Sequence, residues 1–223
     1  MSKRALVVWG GWSGHEPKEV AALMAEGLKK SGFEVEVSDT LDAFLDVEKL
    51  KKLNLIVPCW TMGQLKGEQE KPLCDAVASG VGIAGIHGGM CDAFRGNTEY
   101  QFMTGGQWVA HPGGGEVRYT VKIADREHFI TKGSADFEVV SEQYYLHTDP
   151  ANKVLATTQF PVAEGRHSPN GKVAMPVVWT KRYGEGRVAY CSLGHNAKAT
   201  AQPEVKRLWL RCCLWAAHAE EQA

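Results

Sequence analysis

The chain of 223 residues carries 25 Lys+Arg against 26 Asp+Glu, a formal net charge of −1, and is 44% hydrophobic. That balance leaves no basic surplus to meet phosphate backbones, so nucleic acid is not an expected partner. No apolar run approaches the roughly 18–20 residues of a membrane span, and the length suits one domain over residues 1–223, large enough to fold without disulfide or metal staples.

Met1-Ser2-Lys3-Arg4 leads into an apolar run at residues 5–9 that is too short for a signal-peptide core, so a cytoplasmic location is expected. The run reads as a strand covered on both faces. It ends in Gly10-Gly11-Trp12-Ser13-Gly14-His15-Glu16-Pro17, and Pro17 suits the first turn of a helix. Val20, Leu23, Met24 and Leu28 recur at helical spacing until Gly32 stops them. Strands are predicted at residues 33–37, 53–59 and 81–86, with helices at 47–52 and 68–78. Strands separated by helices argue for a parallel sheet with right-handed crossovers. Residues 104–115 read as a glycine-rich loop, and 116–123, 138–145 and 154–158 as strands. Residues 174–180 and 187–191 flank Arg182-Tyr183-Gly184-Glu185-Gly186 and read as a hairpin. A last helix opens at Pro203, with Val205, Leu208, Trp209, Cys212 and Trp215 on its apolar face. The expected fold is therefore α/β, a doubly wound, mostly parallel sheet with helices on both faces, closed by a C-terminal hairpin and helix.

Ligands in such a sheet bind beyond the carboxyl ends of the strands. Those positions hold Trp12-Ser13-Gly14-His15, Cys59-Trp60-Thr61, His87-Gly88-Gly89 and Gly194-His195-Asn196. Three histidines thus fall on one rim. Gly85-Ile86-His87-Gly88-Gly89 has the glycine spacing of a nucleophile elbow with His in place of Ser or Cys. An imidazole at a helix N-terminus is disfavoured as a cation, which leaves it available as a base or ligand. The amides of Gly88 and Gly89 are candidates for holding a developing oxyanion. Gly10-Gly11-x-x-Gly14 is not a dinucleotide fingerprint, so a nicotinamide cofactor is not expected. The six cysteines include no C-x-x-C pair, and Cys91 is better placed as a buried thiol than as a nucleophile.

Together these segments resemble a known family. The Gly10-Gly11-x-x-Gly14-His15 loop, the His87 elbow and Gly105-Gly106-Gln107-Trp108-x-x-His111-Pro112 follow the pattern of ThuA-like, trehalose-utilisation proteins. Glu142-Gln143-Tyr144, Pro176-Val177-Val178-Trp179, Gly184-x-Gly186-Arg187-Val188 and Leu193-Gly194-His195 are similar to its later segments. The resemblance runs from about residue 5 to about residue 215. It implies a flavodoxin-like fold similar to class I glutamine amidotransferases without the elbow cysteine. It makes His15, His87, His111, Glu142 and His195 pocket residues, with Tyr144 beside them and His147 a weaker match. It also implies chemistry on disaccharides through 3-keto sugars, which a partner dehydrogenase supplies.

On a 3-ketoglycoside, a base takes the C2 proton, an acid protonates the leaving oxygen, and a third group holds the enolate. His87 or His15 suits the base, Glu142 or His195 the acid, and Trp12, Trp60 and Trp108 are candidates for stacking on sugar. A divalent metal, Zn or Mn, held by histidines with Glu142, is the alternative means of polarising the ketone. Two other readings stay open: a metal-dependent hydrolase or isomerase of other sugar derivatives, and a non-catalytic sugar-binding or scaffold protein. Composition leaves the oligomeric state open as well; Trp209 and Trp215 are candidates for either the core or a homo-oligomer interface.

Overall fold

The computed structural model describes residues 2–222. Strand β1 (Lys3–Gly11) shows why its apolar run is continuous: Ala5 and Val7 enter the core on one face of the sheet, while Leu6 and Val8 enter a second core on the other. Helix α1 (Pro17–Lys30) starts at Pro17 and ends in Lys29 and Lys30, cations at the negative end of the helix dipole. It returns the chain to β2 (Phe33–Ser38). The short α2 (Val47–Leu50) precedes β3 (Leu55–Thr61), and α3 (Gly67–Ala78) leads to β4 (Gly82–Ile86). These strands pair in parallel, as the alternating pattern predicts.

Beyond β4 come α4 (His87–Cys91), α5 (Thr98–Thr104) and β5 (Gly106–Ala110). The glycine-rich stretch predicted as a loop therefore contains a strand, because β5 finds a partner in β8 (Tyr145–Thr148), forming a separate two-stranded sheet. The strand predicted at 138–145 is in fact two, β7 (Phe137–Ser141) and β8, broken at Glu142–Tyr144. Alternation carries no mark for that break, which is set by tertiary hydrogen bonds of Gln143. Its amide donates to Thr158 Oγ1 at 3.0 Å and to the Gln159 carbonyl at 2.9 Å, and its Oε1 accepts from Val162 N.

Strands β6 (Val117–Ile123), β9 (Lys153–Phe160), β10 (Val173–Tyr183) and β11 (Gly186–Cys191) complete a nine-stranded sheet of order β2-β1-β3-β4-β11-β10-β9-β6-β7. The predicted hairpin is β10–β11, and β11 lies parallel to β4. That pairing puts the residues after Cys191 on the same rim as those after β1, β3 and β4. The far half of the sheet, from β10 to β7, is antiparallel.

After the short α6 (Ala197–Thr200), α7 (Pro203–Ala216) packs beside α1 on one face of the sheet. Trp209 is fully buried there, and a Cβ on Gly27 of α1 would stand 2.7 Å from its ring. Trp215 is half-buried under the Arg187 guanidinium. All six cysteines are free and buried; burial pushes Cys59 and Cys191 up to about 12, out of the range of useful nucleophiles. Among the described residues no helix is long and apolar enough to cross a membrane.

Candidate functional site

The turn from β4 into α4 is the elbow that the glycine spacing predicts. His87 sits in left-handed backbone at φ 47, between extended Ile86 and the first turn of α4. A non-glycine residue held there is strained, and the Tyr190 hydroxyl, donating to the His87 carbonyl at 2.9 Å, helps to hold it. The flanking glycines serve close packing. A Cβ on Gly85 would be 2.6 Å from Met90 Cβ, and one on Gly89 3.1 Å from Cys59 Cα. On Gly88 it would meet the His15 ring at 2.5–2.6 Å. The elbow thus has glycine at 88 so that a second histidine can lie against it.

Around His87 the rim residues converge. His15 comes from the loop after β1, and its ring lies 4.8 Å from that of His87. His195 follows β11, with ring centroids 5.2 Å from His15 and 5.4 Å from His87. The buried carboxylate of Glu142 arrives from the break between β7 and β8, its carbonyl held by the Tyr119 hydroxyl at 3.0 Å. Its Oε2 lies 3.0 Å from His87 Nε2, 3.3 Å from His195 Nδ1 and 3.8 Å from His15 Nε2. Burial alone would raise the Glu142 carboxyl, but the three surrounding histidines outweigh it and hold the group below its ordinary value.

The ring nitrogens on the far sides are already committed. His87 Nδ1 is 2.8 Å from the carbonyl of Ser192, and a carbonyl only accepts, so Nδ1 carries the proton. Burial lowers the His87 pKa to about 4, so the ring is neutral near pH 7 and Nε2 is a bare lone pair. That lone pair faces the Glu142 carboxylate at 3.0 Å. Two acceptors so placed need a cation between or beside them. His195 stands beside them, its Nδ1 3.3 Å from Glu142 Oε2, and the carboxylate raises its pKa. His15 Nδ1 is likewise paired, 2.8 Å from Thr61 Oγ1, which leaves its Nε2 toward Glu142. Histidines anchored through one nitrogen, with the other aimed inward, are the usual second-sphere pattern of metal ligands.

One ligand atom each from His15, His87, Glu142 and His195 lies within 4.8 Å of all the others, so the four could hold a metal ion. Ligand bonds of about 2.0–2.1 Å give a tetrahedron with edges of about 3.3 Å. The three distances to Glu142 Oε2, 3.0, 3.3 and 3.8 Å, bracket that edge.

The other residues picked from the sequence divide into two groups. His111, after β5, has its buried Nδ1 atom 3.7 Å from Glu142 Oε1 and without a hydrogen-bond partner among the described residues. Tyr144 stacks on His87 with centroids 4.0 Å apart. Trp108 lies 5.5 Å from the His111 ring, and Trp12, 45% exposed, stands edge-on to His15 at the mouth. Trp60 is packed between two backbones: a Cβ on Gly10 would be 2.5 Å from its ring and one on Gly63 2.6 Å from its Nε1. His147 is on the exposed face of β8, beside Tyr145 and away from the cluster. Sequence reasoning overlooked Thr61 and Ser192, which orient the histidines. Thr61 ends β3 and Ser192 directly follows β11, and that strand-end position was the available signal.

Fold and site define a flavodoxin-like α/β protein with a buried His/Glu cluster at the strand-end rim. The ThuA family model, described as trehalose utilisation, matches residues 4–216, and the chain belongs to that family. Among solved structures, one described as ThuA-like from Bacteroides uniformis superposes with a TM-score of 0.77 at 19% identity, covering 96% of this chain and 91% of that one. Another so described, from Parabacteroides merdae, gives 0.74 at 19% identity, covering 97% and 90%. A cytoplasmic protein from Salmonella typhimurium gives 0.65 at 13% identity, covering 98% of each chain. These likenesses concern the fold. No curated protein matches the sequence.

Proposed function

We propose that this protein is a keto-sugar-processing enzyme whose site is a divalent-metal centre formed by His15, His87, His195 and Glu142. The observation that carries the reading is the His87 lone pair aimed at the Glu142 carboxylate at 3.0 Å, with the opposite nitrogen pinned to Ser192. Three imidazoles and a carboxylate suit zinc or manganese, and a bound ion would supply Lewis acidity toward a ketone or enolate oxygen.

With four side chains committed to the ion, His111 is the proton-transfer group left beside the centre. On a 3-ketoglycoside, His111 takes the C2 proton. The released electron pair forms the C1–C2 double bond as the C1–O bond breaks, and the departing oxygen takes its proton from the His111 imidazolium, which returns to the neutral base. Tyr144 stays protonated, because burial raises its pKa, and so acts as a neutral donor. Trp12 and Trp108 offer apolar faces for the sugar ring, and the net charge of −1 suits a neutral substrate that needs no electrostatic funnel. A partner dehydrogenase working in the cytoplasm would supply the ketone.

The test is turnover of a 3-ketoglycoside by protein dialysed against chelator and then reloaded with Zn²⁺ or Mn²⁺. Activity that appears on reloading and is lost in Glu142→Gln supports the reading. Keto-sugar binding without turnover under every metal condition favours the scaffold alternative and overturns it.

A further inference from the structure

His111 is held differently from its neighbours in the site. His15 and His87 are each anchored through a ring nitrogen, whereas the buried Nδ1 of His111 has no hydrogen-bond partner among the described residues. Its backbone adds little restraint. Strand β5 pairs with β8 in a sheet separate from the large one, and the register of that pair slips between Trp108 and Ala110. Beyond His111 come Pro112 and then Gly113 and Gly114, both in left-handed backbone. The imidazole is placed instead by two aromatic rings, Trp108 at 5.5 Å and Tyr144 at 6.2 Å between centroids, tilted by 37° and 33°.

Trp108 needs an anchor of its own, because its buried Nε1 also lacks a partner among the described residues. That anchor is Arg95, whose guanidinium lies over the indole, 4.5 Å from the ring centroid. An exposed arginine is ordinarily free to swing, and holding it in one rotamer costs entropy. Here Asp92 holds it by a fork, Nε donating to Oδ1 at 2.6 Å and Nη2 to Oδ2 at 2.9 Å. Asp92 is itself buried and fixed through its backbone. Its N–H donates to the Gly88 carbonyl at 3.2 Å, and its carbonyl accepts from Met62 N at 2.7 Å.

The short helix α4 therefore begins at His87 and is closed by Asp92. One turn of chain carries the elbow histidine at its start and the arginine's anchor at its end. The contacts then run from Asp92 to Arg95, to Trp108 and to His111, from the large sheet's elbow to the small sheet's histidine. Such a fork needs a planar guanidinium: a lysine can pair with Asp92 but has no flat group to lay on the indole at the same time.

We propose that Arg95 is a positioning residue for proton transfer: with Asp92 it fixes Trp108, and through Trp108 the ring of His111, relative to the His87 elbow. The proposal rests on the keto-sugar reading for the use made of His111, and on the Asp92–Arg95–Trp108 contacts for the positioning itself.

The test reads position apart from turnover. Imidazole proton resonances are recorded for protein supplied with Zn²⁺, those of His111 being assigned by their loss in His111→Asn. In Arg95→Gln, His111 should lose the ring-current shift that Trp108 imposes, while His15 and His195 keep their positions. Arg95→Lys, with a cation left against Asp92, should give an intermediate shift, and it decides the matter should the Gln variant not fold. On a 3-ketoglycoside, kcat/KM should fall about tenfold in Arg95→Gln and partly recover in Arg95→Lys; misplacing a reacting group by about 1 Å costs up to about a hundredfold. His111 resonances unmoved in both variants overturn the proposal, as do His15 and His195 displaced as far as His111, the mark of a merely structural role. Full activity in a variant whose His111 has moved overturns it too. A His111 shift that follows Arg95 in a protein inert to keto-sugars keeps the positioning role and overturns the enzyme reading instead.

Discussion

His87 makes the metal-free protein acid-labile by a calculable amount. Unfolded, its imidazole titrates at the ordinary value of about 6.5; folded, burial lowers it to about 4. Between those values the unfolded chain binds a proton that the folded chain refuses, so stability falls as pH drops through this window and is fully present above it. The gap corresponds to about 3 kcal/mol, at roughly 1.4 kcal/mol per pH unit. Glu142 adds to the loss only further down, since its carboxyl is held below the ordinary value of 4.5. His195, with a raised pKa, acts oppositely, giving stability that is present below 6.5 and lost as pH rises through its folded value. The perturbation is His87→Asn, which keeps a donor for the Ser192 carbonyl and tolerates a φ of 47 better than most residues. Urea unfolding of chelator-treated protein across pH 4–7.5 should show a slope between about pH 4 and 6.5 in wild type that is largely absent in the variant. An equal slope in both would refute the assignment of a neutral buried His87.

Other consequences concern the same cluster. Zn²⁺ at a hundredfold excess over its Kd should raise unfolding free energy by about 2.7 kcal/mol, measured as a chelator-reversible rise in urea midpoint. Glu142→Gln should weaken metal binding by about a hundredfold in competition with a fluorescent chelator, since it removes the only anionic ligand of the four. Gly88→Ala should displace His15, whose ring stands 2.5–2.6 Å from the new Cβ, and abolish metal retention while far-ultraviolet circular dichroism stays folded. Trp12→Ala, at an exposed position, should leave the melting temperature within about a degree and raise KM for a keto-sugar several-fold.

The parallel half of the sheet was legible because burial on both faces leaves apolar runs, and because glycines and prolines mark where strands stop. The rim histidines were legible for the same reason: strand ends in such a sheet share one edge, and β11 beside β4 carries His195 to it. What local pattern could not show is set by distant partners. Strand β5 exists because β8 pairs with it, and the break at Glu142 exists because Gln143 bonds to β9. Glu142 entered only through the resemblance, since nothing in an isolated Ser-Glu-Gln-Tyr marks a carboxylate aimed at three histidines. Asp92 and Arg95 went unnoticed, although their i, i+3 spacing permits the pairing seen. Their loop is tied to the one after β3 through backbone bonds that leave no sequence trace.

The metal content of the purified protein tests the central claim most directly. Wild type and Glu142→Gln, dialysed against Zn²⁺ or Mn²⁺ and then against metal-free buffer, are compared by elemental analysis. One tightly held divalent ion per wild-type chain, absent from the variant, is the expected result. Wild type that retains no ion, or a variant that retains as much, would contradict a metal centre at His15, His87, His195 and Glu142.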